Sequence, residues 1–356
     1  MLRAGLATRG MDAATRFRIL KRHLWAVLRH ATPRKLINLV KTERNLRRKA
    51  EALDSFPYIL KIESTNICNL HCAFCYDNRR QPQEGERGYG RMQPAQFRHV
   101  VDQLAPYLFK INMYGFGEPF LFSEGFEMIR YATDKNIGVG VSSNMNIRDD
   151  ALAEKIIDSG LEVLIFSCHG VTPESYATFM GKGNMELALE NIKRLVALKR
   201  ARKSTTPVID WQFCVTGFNE NEIPLAEQKA RELGVDQVRF IKPFFPDDAP
   251  AHWWSSKFPR NLEEQAAEAE THCAWLYRSA FVNFDGGVSP CCSDVRPLVN
   301  DFGNALTQPF ADIWNGPAYR AARRLLRNPH DATSQAARVC QRCPLIVNAR
   351  KRGGAT

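Results

Sequence analysis

The 356 residues predict an α/β protein built on a parallel sheet and followed by a small cysteine-rich unit. Three observations carry this. Short β-branched runs alternate with amphipathic helical stretches from residue 58 to about 245, the composition breaks at the Pro- and Trp-rich stretch 243–260, and most of the ten cysteines fall in tight clusters. With 44% hydrophobic residues the chain can bury one large core and a smaller one.

In chain order, residues 1–57 read as two basic helices. "DAATRFRILKRHLWAVLRH" sets Phe17, Leu20, Leu24, Val27 and Leu28 at helical spacing, and "TPRKLINLVKTERNLRRKA" opens with Thr32 as N-cap and Pro33 in the first turn. Residues 1–50 hold 14 Lys/Arg against 2 Asp/Glu and residues 320–356 hold 9 against 1, so the net charge of +11 sits at the two ends. Basic helices of this kind suit an anionic membrane surface or phosphate-rich partner, or else the flank of the main domain with their arginines in water. The acid-poor opening resembles a transit peptide in charge but lacks its serines. No run approaches the roughly 18 to 20 apolar residues of a membrane span, and no apolar signal region stands at the start.

Six strands follow: "YILKIEST" (58–65), "KINMYGFG" (110–117), "IGVGVSSN" (137–144), "LEVLIFSC" (161–168), "VIDWQFCV" (208–215) and "DQVRFIKP" (236–243). Helical stretches lie between them around "AQFRHVVDQLAPYL", "GFEMIRYATDK", "ALAEKIIDSG", "MELALENIKRLVALKR" and "EIPLAEQKARELG". Strands joined by helices imply parallel pairing with right-handed crossovers. An open doubly wound sheet and an incomplete barrel both satisfy the pattern, and in both the functional residues gather where strands end. Residues 246–268 read as a linker or lid. In 269–356, "SAFVNFDGGVSPCC" reads as a β-hairpin turning at Asp285-Gly286-Gly287, ahead of a helix pair and a closing "VCQRCP".

Tight C-x2-C spacing is too close for an ordinary disulfide framework and suits metal ligation in a reducing compartment, so the expected address is the cytoplasm. "CNLHCAFC" places Cys68, Cys72 and Cys75 in the loop after the first strand. Three thiolates on a cubane iron–sulfur cluster leave one iron without a protein ligand, an open position where a cofactor can coordinate. Zinc with His71 as fourth ligand is the alternative.

The C-x3-C-x2-C spacing, with an aromatic before the last Cys, resembles the radical S-adenosylmethionine (radical SAM) enzymes. The likeness runs through the strand–helix region to about residue 245. It implies a partial (β/α)6 TIM-like barrel over 58–245 and a [4Fe–4S] cluster whose open iron binds S-adenosylmethionine. An electron from that cluster then cleaves the sulfonium and releases a 5'-deoxyadenosyl radical. The resemblance further assigns cofactor contacts to Gly115, Gly117 and Glu118 of "YGFGEP", to Ser142 and Asn144 of "SSN", and to Tyr76 beside the last Cys. Glu118 would pair with the cofactor's ammonium. Phe116 departs from the family's second glycine. Taken singly, "GFGEP" is also an ordinary turn and "SSN" an ordinary helix cap.

Cys273, Cys291, Cys340 and Cys343 form a second set, with Cys292 as a substitute for Cys291. This part resembles the SPASM and twitch auxiliary-cluster domains behind radical SAM barrels, in the shorter four-cysteine form, which implies a second [4Fe–4S] cluster. Four thiolates suit zinc equally. Cys168 and Cys214 read as core residues, and His169, Arg239 and Lys242 as candidates on the substrate side.

The resemblance implies a redox enzyme: the adenosyl radical takes hydrogen from a hydroxyl-bearing carbon of a sugar, cyclitol or glycolipid precursor, a base takes the proton, and the auxiliary cluster accepts an electron. A flavodoxin or ferredoxin would supply the reducing electron. Maturation of a ribosomal peptide and RNA modification are the alternatives. The basic ends without a recognisable RNA-binding module leave no nucleic acid expected as partner.

Overall fold

The computed structural model describes residues 27–75, 81–243, 245, 249–258, 273–292, 295–331 and 338–353. The six expected strands are present as β1 (Ile59–Ile62), β2 (Lys110–Met113), β3 (Gly138–Ser143), β4 (Val163–Ser167), β5 (Val208–Cys214) and β6 (Gln237–Ile241). The helices are α1 (Pro33–Arg48), α2 (Pro94–Leu104), α3 (Glu124–Asp134), α4 (Leu152–Asp158), α5 (Pro173–Met180), α6 (Met185–Ala201) and α7 (Ile223–Leu233). The C-terminal unit adds α8 (Trp275–Arg278), β7 (Ser279–Val282), β8 (Val288–Ser289), α9 (Phe310–Trp314), α10 (Pro317–Arg327), α11 (Arg338–Gln341) and α12 (Pro344–Gly353). Among the described residues no helix is long and apolar enough to cross a membrane.

The sheet runs β6-β5-β4-β3-β2-β1-β7-β8, with β1 to β6 parallel and in sequence order. A doubly wound sheet reverses its order at a switch point; this one does not, and sequential order is that of a barrel left open between β6 and β8. The register separates two faces. Leu60, Ile62, Ile111, Met113, Val139, Val141, Leu164, Phe166, Ile209, Trp211 and Phe213 share one face and join the buried core under the helices. Lys61, Lys110, Asn112, Ser142, Ser167, Asp210, Gln212 and Arg239 share the other, a polar interior.

The hairpin of the C-terminal unit is where the sequence puts it: β7 pairs antiparallel with β8, and Asn283 N–H donates to Gly287 O at 2.8 Å. Its attachment is unexpected. β7 pairs in parallel with β1, Ile59 opposite Ser279 and Ile62 opposite Val282, so this unit extends the barrel sheet. Trp314 Nε1 donates to Ser55 O (2.9 Å) and the Asn315 amide bonds both Leu53 N–H and Leu53 O, fastening the same unit to the segment before β1.

Thr32 caps α1 as expected, its hydroxyl accepting Lys35 N–H. The helix docks by its polar side: Lys35, Asn38, Thr42 and Asn45 are buried, and Asn38 makes paired bonds with the Phe56 backbone at 3.0 and 2.8 Å. The outer face therefore carries apolar residues as well as arginines. Of the helix expected upstream, over residues 12–30, Val27 to His30 are described and helical, and the rest lies outside the described residues, as does most of the 246–268 linker.

Candidate active site

The cysteine loop leaves the C-terminal end of β1 and is held from three sides. Cys75 N–H donates to Cys72 O (3.2 Å), closing a turn inside it. Ala73 N–H donates to Phe179 O (2.8 Å) at the end of α5. Gly181, at φ +61°, brings its backbone against His71 O, where a Cβ would stand 2.5 Å away. Burial pushes the Cys72 thiol up, with smaller contributions from Cys75 and Cys68. A positive metal centre bound among these three sulfurs would favour the thiolate that burial disfavours at Cys72. Asn144 Nδ2 lies 3.7 Å from Cys68 Sγ, a donor aimed at a sulfur ligand.

The end of β2 closes on the same loop. A Cβ on Gly117 would collide with the backbone carbonyls of Thr65 and Ile67, so that glycine is required for backbone packing there, whereas one on Gly115 would meet the Glu63 side chain. Glu118 is buried, its carboxylate accepting Asn144 N–H (2.8 Å) and Phe120 N–H (3.2 Å), and it ties the end of β2 to that of β3. Burial pushes its pKa up to about 7, against the pull of those N–H donors. Ser142 Oγ pairs with Ser167 Oγ at 2.9 Å across β3 and β4. Tyr76 lies outside the described residues.

Several neighbours escaped the sequence reading. Asn69 Nδ2 donates to Asn146 O (2.7 Å), Asn146 Nδ2 to Tyr176 Oη (2.8 Å), and Asn191 Nδ2 to Met145 O and Ile147 O (2.9 and 2.8 Å). These bonds hold Met145 at φ +57°, a left-handed conformation unusual for a non-glycine residue and one that clusters at functional sites. The recurrence of Asn in "CNLHC" and "SSNMN" was the available signal.

The substrate-side candidates separate. Arg239 Nε donates to both oxygens of buried Asp210 (2.7 and 2.8 Å), an ion pair internal to β5 and β6. His169 Nδ1 accepts Cys214 N–H at 3.2 Å and burial lowers its pKa to about 4, which leaves a neutral ring with the proton on Nε2. Lys242, just past β6, has its amine 5.6 Å above the Trp254 ring, and burial lowers its pKa. Around it the mouth is aromatic. Trp253 meets Phe74 of the cysteine loop (4.5 Å between centroids) and Phe218 (4.6 Å), while Phe245 meets Phe74 (4.4 Å) and Trp254 (5.5 Å). Glu220 pins this segment by accepting from Ser255 Oγ, Ser256 N–H and Ser256 Oγ. A cavity of about 370 Å³ opens here between Phe218, Glu220, His252 and Trp254.

The second cysteine set lies at the other end of the added strands. Cys273 precedes α8 and β7, Cys291 follows β8, and Cys340 and Cys343 close from α11 and the turn after it. Burial pushes the Cys273 thiol up to about 12, aided by Cys291 and Cys343; Cys340 is raised likewise, with Cys273, Cys291 and Cys343 all contributing. Cys291 is thus close enough to Cys273 and Cys340 to act on both. Among the described residues the buried hydroxyls of Tyr277 and Tyr319 have no hydrogen-bond partner, and Cys340, Cys291 and Cys273 lie close enough to act on Tyr319. Orphaned donors beside these thiols fit a group rich in sulfur acceptors.

Comparison with known proteins agrees. Residues 62–224 match the model of the Radical SAM superfamily, and residues 273–344 that of the SPASM iron–sulfur cluster-binding domain. The chain is a radical SAM protein with a SPASM domain. These domains bring a [4Fe–4S] cluster that binds S-adenosylmethionine, and auxiliary cluster binding behind it. The AdoMet-dependent heme synthase of Methanosarcina barkeri is 26% identical over 341 residues, 82% of this chain and 92% of that protein. The mycofactocin maturase MftC of Mycobacterium ulcerans is 29% identical over 212 residues, 59% of this chain and 53% of its own length. Streptococcus suis SuiB bound to S-adenosylmethionine shares the fold at a TM-score of 0.59 and 15% identity, with 88% of this chain and 76% of that one covered. The partial barrel is therefore the radical SAM fold.

Proposed function

We infer that this radical SAM protein oxidises a hydroxyl-bearing carbon of a small ring-shaped molecule, a sugar or cyclitol, to a ketone. When bound, the cluster at Cys68, Cys72 and Cys75 with S-adenosylmethionine supplies a hydrogen-abstracting radical, and the group at Cys273, Cys291, Cys340 and Cys343 supplies an electron acceptor. The chain's own contribution is placement. Phe74, Phe218, Phe245, Trp253 and Trp254 exclude water and offer flat apolar faces on which a sugar ring stacks. Lys242, whose pKa burial lowers from the ordinary lysine value, takes the hydroxyl proton. His169 is unsuited to that role, because its acceptor nitrogen is already used.

The observation that carries this reading is the aromatic mouth with one amine at its rim. The heme synthase, whose likeness spans most of both chains, supports a small-molecule substrate. A second reading, peptide maturation, draws on the mycofactocin maturase. Anaerobic, cluster-loaded protein with reductant and S-adenosylmethionine is to be offered sugars, cyclitols and their conjugates, deuterated at the carbinol carbon. The expected result is deuterium in 5'-deoxyadenosine and a carbonyl product. Stimulation by precursor peptides alone would move the assignment to the second reading, and silence with both sets would end the first.

A further inference from the structure

The outer face of α1 is apolar where a surface helix is ordinarily polar. Leu36 (42% exposed), Ile37 (58%) and Val40 (68%) lie on it, with Leu28 (69%) in the turn before, and together they make half of the large exposed apolar residues described. Cations frame the patch: Arg29, Arg34, Lys41, Arg44, Arg47 and Arg48. Among the described residues Glu162 pairs with Arg29, Asp54 answers both Lys41 and Arg44, and Arg34 bonds the uncharged Tyr107, so six cations meet two carboxylates and the face keeps an excess of positive charge. Three occupants are available, and charge chooses between them. Residues 1–26 carry six Lys/Arg against one acid, and a second copy brings the same cations, so both would set like charges together. An anionic bilayer complements the arginines and the apolar side chains at once.

We propose that this face docks the protein on an anionic membrane surface, with Leu28, Leu36, Ile37 and Val40 entering the headgroup boundary and the arginines meeting lipid phosphates. The orientation follows from the fold. Lys35 bonds Asn136 O, His30 bonds Glu162, and Arg34 bonds Tyr107, each partner lying just ahead of a strand, so α1 sits at the N-terminal ends of the sheet. The cysteine loop and aromatic mouth lie at the opposite ends and face away from the lipid, an arrangement for a soluble substrate. Nothing in this depends on which substrate is used.

The test is co-sedimentation of the full-length, cluster-loaded protein with phosphatidylcholine vesicles, with and without phosphatidylglycerol, across a salt series. Two double variants accompany it, Ile37→Ser with Val40→Ser and Arg47→Glu with Arg48→Glu. Binding is expected only to the anionic vesicles, to weaken with salt, and to fall at least about tenfold in each variant. Unchanged thermal melts show that the variants fold. Binding absent, equal on neutral vesicles, or intact in both variants overturns the proposal, the last by assigning the lipid contact to another part of the chain. So does light scattering that finds a dimer dissociated by the serine variant.

Discussion

Glu118 is the residue whose environment is furthest from what its place in "GFGEP" suggests. It is a buried carboxylate held by backbone N–H groups, with its pKa raised by burial to about 7. The folded state therefore keeps a proton that the unfolded chain releases above about pH 4.5, so the stability it contributes is full below that pH and is lost as pH rises through about 7. Glu118→Gln is expected to flatten this part of the profile. Urea melts of both proteins between pH 4.5 and 7 measure it, and parallel profiles would show that Glu118 does not titrate there. Tyr319 is the counterpart in the SPASM domain. Hydrogen bonds to cluster sulfurs raise a potential by stabilising the reduced, more negative state. Tyr319→Phe should therefore move the second cluster's midpoint to more negative values in an EPR-monitored titration and leave the first cluster unmoved.

At the scale of elements, the closest fit is where β2 ends against the lead-in to the cysteine loop. A methyl group on Gly117 meets the Thr65 carbonyl, which is backbone and cannot rotate aside. Gly117→Ala should cost about 1 to 3 kcal/mol of stability and lower iron content after reconstitution, since the loop carrying Cys68 is displaced with it. Full iron loading in that variant would show that the loop is not set by this packing. Elements with a strong local period were legible: the six strands lie inside the runs that β-branched residues mark, and the overrun at their C-terminal ends is the site itself, since "EST", "YGFG" and Asn144 continue an extended pattern into loops. The helix Pro173–Met180 was missed although "TPES" holds its N-cap, its first-turn proline and a capping box, because the longer helix after it dominated the reading. The docking side of α1 was not legible, since its apolar period points outward and burial falls instead on Asn38, Thr42 and Asn45.

Across the whole molecule, the sequence separated barrel from SPASM domain at a composition break, whereas the sheet runs through both. Pairing of β7 with β1 joins residues more than 200 apart, and no local pattern encodes such a partner. Arg87 seals the joint. It is 4% exposed, follows the cysteine loop, and bonds Asp285 at the hairpin turn, Asp301 at 2.6 Å and Val295 O. Two carboxylates of the C-terminal unit thus depend on one guanidinium of the barrel. Arg87→Met should cost about 3 to 5 kcal/mol, because it leaves Asp301 charged and buried. Burial already raises the Asp301 pKa while Arg87 lowers it, so without the arginine that pKa rises further. A folded pKa above the unfolded one gives stability that is present at low pH and lost as pH rises. The variant's deficit should accordingly be largest near neutrality and shrink towards pH 4, as read from paired chemical melts. A deficit that stays constant with pH would mean that Arg87 acts through packing alone.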